Sequence, residues 1–289
     1  MTGTSPTVQQ RELGTRLREL RNEHGLTVED VANELLCSAT KVSRLETGAR
    51  RPSLRDVRDL CALYKVNESV SAELMDLARG ARAPGWWTKY EDLDLDPFIG
   101  LEQDAETITC YSMYYIPGLL QTQDYARAII KAVAPKMASN VREERIEARL
   151  KRQQLLEDER PPSYHILLDE AALHRHVGGP KVMAEQLDKA LEVERRAKAV
   201  IQVIPFDAGA YAAADGYFVL LEFEDDSSLS PIVFVEGLNN NQYLQRKADI
   251  DRYRETIKYL RELALSPADS RKRILEVRKN LSRRVDTRP

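Results

Sequence analysis

Ser38, Ala39, Thr40, Lys41, Ser43 and Arg44 fall within seven consecutive positions and supply hydroxyls, an ammonium, a guanidinium and a methyl group. On the outer face of one short helix, such groups can read base edges in the DNA major groove, where each base pair shows a distinct donor and acceptor pattern. Thr47, Arg50, Arg51 and Arg55 follow directly. They are candidates for phosphate oxygens, which set a protein's register on a duplex without reading its sequence. From Lys41 to Arg58 there are six basic residues against two acidic ones, a patch able to neutralise phosphates. The whole chain of 289 residues carries a formal charge of −3, so any nucleic-acid footprint must be local.

Other chemistries find less support. The chain has no GxxxxGK[ST] loop, no HExxH and no GxSxG. His174 and His176 follow Asp169 and Glu170 closely enough to raise a metal site, but they stand two apart with no cysteine nearby, and surface or turn histidines are the better reading. Cys37, Cys61 and Cys110 are widely spaced and read as reduced thiols. Tyr111, Tyr114, Tyr115, Tyr125, Tyr211, Tyr217 and Tyr243 suit core packing better than a ligand pocket or peptide groove. The expectation is a protein that is not an enzyme, with no cofactor and no metal. No apolar run reaches membrane-spanning length and the N-terminal residues lack a signal-peptide core, so a cytoplasmic location is expected.

The positioning elements are legible as helices. Leu13, Leu17 and Leu20 mark one face of a helix over 9–24, stopped by Gly25, with residues 1–8 as a loose leader. Thr27 to Asp30 reads as a capping box opening a helix with Val28, Val31, Ala32 and Leu35 inward. Ser38 caps the next, with Val42 and Leu45 inward and Gly48 as a left-handed stop. Ser53 to Asp56 reads as a second capping box, and a fifth helix spans about 69–79. The short helix, tight turn and second helix place 38–47 as a projecting ridge. Beyond Gly85 the pattern changes. Strands are expected over 108–116, 164–168, 200–205, 217–223 and 232–235, and helices over 122–134, 139–158, 180–197, 246–264 and 267–281. The organisation is an N-terminal all-α five-helix helix-turn-helix domain (9–80), a linker (81–90), a C-terminal mixed α+β domain (91–281) and a flexible tail (282–289).

Leu26 to Ala32, Ser38 to Gly48 and Arg51-Pro52-Ser53 resemble the phage-repressor class of helix-turn-helix domains, the xenobiotic-response-element-like family. The resemblance implies that Arg21 on the first helix pairs with Glu46 as a structural brace. That family often has glutamine where Val28 stands, which leaves Thr27 and the helix N-terminal N–H groups to meet the phosphate. Ile116 to Arg127, Glu147 to Leu150, Leu168 to Leu173, Val177 to Pro180, Ile201 to Pro205, Gly209 to Tyr211 and Val235 to Gly237 resemble WhiJ-like, antitoxin-like regulators of actinobacteria. This resemblance implies a developmental regulator partnered by a small BldB-like protein, and it brings no catalytic residues. The resulting expectation is a repressor-type regulator of double-stranded DNA, working as a homodimer, whose second domain binds that partner or a ligand. The alternative is an antitoxin-like protein that chiefly masks its partner and binds DNA for autoregulation.

Overall fold

The computed structural model describes residues 4–90, 96–196, 198–212, 216–224, 229–237 and 240–286. It divides into two compact units. The first takes in residues 1–89, 95–104 and 223–230 so far as they are described. Its helices are α1 (Pro6–Glu23), α2 (Val28–Glu34), α3 (Ala39–Glu46), α4 (Leu54–Leu63), α5 (Glu68–Gly80) and α6 (Asp96–Gln103). Leu13, Leu17, Val31, Val42, Val57 and Leu74 are among the buried residues that form its core. Gly25 and Gly48 hold φ of +66° and +65°, the left-handed stops that end α1 and α3.

The leader reading is corrected for residues 5–8, and residues 1–3 lie outside the described residues. Pro6 at the first helical position pre-sets φ, and the Ser5 hydroxyl caps the helix by accepting from Val8 N at 3.3 Å. The same hydroxyl donates to Gly100 O at 2.7 Å, and Ser5 N donates to Asp104 Oδ2 at 2.7 Å. Ser5 and Val8 are buried. The polar composition of this stretch conceals a Ser-Pro helix start whose partners lie about 100 residues on. The stretch 81–90 carries a 3-10 turn, Trp86–Lys89, whose Trp87 is buried. Trp86 Nε1 donates to Gln103 Oε1 at 3.2 Å.

The second unit takes in residues 90–94, 105–222 and 231–289 so far as they are described. Its strands are β1 (Thr107–Ser112), β2 (Ser163–Asp169), β3 (Ala199–Ile204), β4 (Phe218–Glu222), β5 (Ile232–Val235) and β6 (Gln242–Leu244). Its helices are α7 (Gln123–Val133), α8 (Ser139–Arg152), α9 (Glu170–His174), α10 (Pro180–Arg196), α11 (Lys247–Leu263) and α12 (Pro267–Asp286). The strand order is β3-β2-β1-β4-β5-β6. β1, β2 and β3 run parallel, as strands joined through helices do, while β4, β5 and β6 add on antiparallel. Phe218 to Leu221 are all buried, which suits a central strand covered on both faces. Tyr111, Leu167, Phe218, Leu220 and Val233 share one face and pack with Ile250, Ile257 and Leu260 of α11. α10 and α12 pack on each other and against β3.

The helix expected over 139–158 ends at Arg152 and continues as a 3-10 turn, Gln153–Glu157. There Gln153 Nε2 donates to the carbonyls of Gly118 (3.0 Å) and Gln121 (2.7 Å). The Ile116–Arg127 segment is pinned in the same manner. The fully buried Gln186 accepts from Thr122 N and donates to Leu120 O, each at 2.7 Å. Tyr125 accepts from Ile116 N at 3.1 Å, and burial pushes its hydroxyl up to about 12. Arg149 donates to Gln121 Oε1 at 2.9 Å; burial, reinforced by Arg152, lowers its guanidinium to about 10. These residues hold loops, which satisfies buried backbone groups. α12 runs to Asp286, into the stretch read as a tail, and 287–289 lie outside the described residues.

Candidate nucleic-acid interface

The geometry of α3 follows from its caps. Ser38 Oγ accepts from Lys41 N at 3.2 Å, fixing the start, and Gly48 turns the chain at the end. Val42 and Leu45 are buried, so the opposite face is turned outward, with Ser38, Thr40, Ser43 and Arg44 exposed and Ala39 and Lys41 half-buried. Thr47, Arg50, Arg51 and Arg55 are exposed. Among the described residues Arg44, Arg50 and Arg51 have no salt-bridge partner, whereas Arg55 lies 3.7 Å from Asp59. The Thr47 hydroxyl donates to Ser43 O at 2.9 Å.

Arg21 and Glu46 form a two-pronged pair. Nε meets Oε1 at 2.7 Å and the second guanidinium nitrogen meets Oε2 at 3.0 Å. The third nitrogen donates to Leu26 O at 2.8 Å. The side chains are 12% and 6% exposed. Donation to the Glu46 carboxylate raises the Arg21 pKa against the opposing effect of burial. One guanidinium thus ties α1 to the end of α3 and to the turn before α2. Gln10 adds a second tie, donating to Gly48 O at 2.7 Å.

The capping box expected at Thr27 is formed, and the one expected at Ser53 is not complete. The Thr27 hydroxyl accepts from Asp30 N at 3.1 Å and donates to Asp30 Oδ2 at 2.7 Å, while Thr27 N donates to the same oxygen at 2.8 Å. The capping box is complete, and it engages the Thr27 proton that a phosphate would have used. These bonds hold the Asp30 carboxyl below its ordinary range. The box expected at Ser53 is only half formed. Asp56 N donates to Ser53 Oγ at 3.0 Å, but the Asp56 carboxylate meets Lys41 Nζ at 2.6 Å. Both partners would bond to an ionised carboxylate, but the Lys41 ammonium carries a full positive charge and adds a Coulombic attraction that the neutral Ser53 N–H lacks. Sequence reasoning missed this pair by assigning Asp56 to its own helix. Among the described residues the outer face of α3 therefore holds one cation tethered at its edge, Lys41, and one untethered, Arg44.

The tether has a titratable signature. Burial works against the charge on Asp56, yet hydrogen bonds from Lys41 and Ser53 leave its pKa below the usual carboxylate range. A depressed carboxyl contributes stability that is present above the ordinary carboxylate pKa and lost as pH falls through the folded value. In Lys41→Met the Asp56 carboxyl is expected to titrate at higher pH than in the native chain, followed by carboxyl NMR. An unchanged titration would show that the ion pair does not persist in solution.

In the second unit, His174 Nε2 lies 3.4 Å from Glu170 Oε1. The buried Glu170 also accepts from Arg273 (2.6 Å) and Phe206 N (3.0 Å). Asp169 accepts from Ala171 N at 2.7 Å and from the Tyr211 hydroxyl. Both carboxylates beside the histidines are engaged within the protein. Tyr111 and Tyr125 are buried, Tyr211, Tyr217 and Tyr243 half-buried, and Tyr114 and Tyr115 exposed, with Arg175 5.5 and 5.9 Å from their ring centres.

Comparison with known proteins gives two successive matches along the chain, the second of which includes residues 95–104 and 223–230 of the first unit. A family described as a helix-turn-helix domain matches residues 12–74, the stretch from α1 to α5. The HTH-type transcriptional regulator DdrOP3 of Deinococcus deserti is 32% identical over 97 residues, covering 34% of this chain and 75% of that protein. No solved structure matches. A family described as a domain of unknown function (DUF5753) matches residues 95–276, well over half of the sequence. The chain belongs to that DUF5753 family, and carries an N-terminal helix-turn-helix domain ahead of it.

Proposed function

We propose that this protein is a sequence-specific DNA-binding transcription regulator, acting as a repressor, with α3 laid in the major groove. The observation that carries the reading is the outer face of α3: small and hydrogen-bonding side chains, with Arg44 exposed and unpaired and Arg50 and Arg51 flanking it. The helix-turn-helix match and the printed name of the Deinococcus relative support the same reading. In it, Ser38, Ala39, Thr40, Lys41, Ser43 and Arg44 read bases and Arg50, Arg51 and Arg55 contact phosphates, while Thr27 and Thr47, whose hydroxyl protons are engaged by Asp30 and Ser43, do not donate to them. One small head offers few contacts, so the protein binds as a homodimer to half-sites one DNA turn apart. Acting on DNA, it works in the cytoplasm. The second unit contributes to the dimer and receives the regulating partner, a small BldB-like protein. The resemblance of its motifs to WhiJ-like regulators supports that assignment. So do the exposed aromatic side chains of Tyr114, Tyr115 and Phe206.

The test is a binding titration on a sequence selected from random DNA and on a scrambled control. Arg44→Ala is expected to cost about 1–3 kcal/mol on the selected sequence and little on the control. Arg51→Ala is expected to weaken both alike and to reduce the salt slope by about one. Light scattering of the complex is expected to give two chains per duplex. Affinities unchanged in both variants would overturn the interface.

A further inference from the structure

In the second unit a cavity of about 410 Å³ opens between the sheet and α11. That volume lies within the range of about 300–1,000 Å³ typical of small-molecule sites. Its floor comes from β1, β4 and α11 through Thr109, Leu220 and Ile257, all buried. Its wall is basic. Arg254, Lys258 and Arg261 are spaced at i, i+4 and i+7, so they share one face of α11. Two carboxylates also line it, Glu222 and Glu262.

The charges do not cancel pairwise. Arg254 is held by Glu222, with a contact of 2.6 Å. Among the described residues, Lys258 and Arg261 have no ion-pair partner and the Thr109 hydroxyl has no hydrogen bond. Among them Glu262 is unpaired as well, so outside the Arg254–Glu222 pair two cations and one carboxylate stand beside an apolar floor that carries a single unused hydroxyl, and the lining is net positive by one. A solvated basic helix face needs no such floor. His165 sits next to Thr109 across the β1–β2 register, and burial, with Arg261 nearby, lowers its pKa.

We propose that this cavity binds a small organic anion, carboxylate- or phosphate-bearing, with an apolar body. The anionic group lies between Lys258 and Arg261, the body covers Leu220 and Ile257, and Thr109 hydrogen-bonds a polar substituent. The inference goes beyond DNA binding and does not depend on it, because the readout below is ligand binding itself.

The test uses the full chain, with salicylate and phenyl phosphate as probes and sodium chloride at matched ionic strength as control. Amide NMR shifts are followed at Thr109, Lys258 and Arg261. Saturable shifts with either probe are expected, and the probe that binds more tightly names the preferred anionic group. Lys258→Gln combined with Arg261→Gln is expected to weaken binding about tenfold or more, since two charge-assisted contacts are lost. Both side chains are exposed, so this variant keeps its fold, which near-UV circular dichroism checks. Shifts that do not saturate, that chloride reproduces, or that persist unchanged in the double variant would overturn the proposal.

Discussion

Glu46→Ala is expected to destabilise the N-terminal unit by about 3–5 kcal/mol, because it strands the Arg21 guanidinium in a site where only 12% of that side chain is exposed. Against a typical stability of about 5–15 kcal/mol, that leaves a marginal fold. The cost lies in the orphaned charge more than in the net worth of the pair. Removing both charges, as in Arg21→Met with Glu46→Leu, is therefore expected to cost much less than Glu46→Ala alone. An exposed pair supplies the contrast. Arg16 and Glu73 meet at 3.1 Å with side chains 37% and 52% exposed, and Glu73→Ala should cost about 0–1 kcal/mol. The chain's two tryptophans, Trp86 and Trp87, both belong to the N-terminal unit, so urea unfolding followed by tryptophan fluorescence reports this unit selectively. If Glu46→Ala shifts the midpoint no more than Glu73→Ala, the pair does not brace the fold. Loss of the brace also frees the end of α3, so DNA affinity should fall with stability rather than independently of it.

What was legible in the sequence was local. Thr27, Ser38 and Thr122 each cap the helix they precede, and each does so through the hydroxyl that accepts an N–H three residues on. The all-apolar run 218–221 is a central strand for the reason its pattern suggests. What was illegible depended on distant partners. Ser5 looks like loose polar chain until Gly100 and Asp104 are beside it. The three-residue β6 and five-residue α9 are too short to show a period and exist because neighbours pair with or pack on them. α6 follows a stretch whose acidic and apolar residues alternate without a helical period. At the candidate interface the spacing of residues was readable, but the Lys41–Asp56 contact was not, since either Ser53 or Lys41 could claim the carboxylate. The basic cavity is illegible for the same reason: its floor and wall come from Thr109, Leu220 and Lys258, more than 100 residues from first to last.

Gly14→Ala is expected to displace α1 from α3 and so to damage both stability and DNA binding. A Cβ built at Gly14 would stand 2.7 Å from the backbone carbonyl oxygens of both Leu45 and Glu46. Backbone cannot rotate away as a side chain can, so one helix must shift. The gain in helix propensity from glycine to alanine, about 1 kcal/mol, works the other way. The clash should win, at or beyond the upper end of the ~1–3 kcal/mol usual for overpacking. Gly80→Ala separates the two effects. There the Cβ would meet Gln9 Oε1 at 1.4 Å, a closer approach on paper, but that atom ends a flexible side chain whose present bond is to Thr4 O. Gln9 can swing aside, so Gly80→Ala should lie within about 1 kcal/mol of the native chain. The ordering is thus opposite to the raw distances, and urea midpoints of the two variants decide it. A shift at Gly14 also moves the carbonyls of Leu45 and Glu46, which belong to the last turn of α3. If α3 is the base-reading helix proposed above, the Gly14 variant is consequently expected to lose sequence preference, whereas Gly80→Ala, outside α3, should bind DNA like the native protein. Equal behaviour of the two variants in unfolding and in DNA binding would mean that close α1–α3 packing does not set the position of α3.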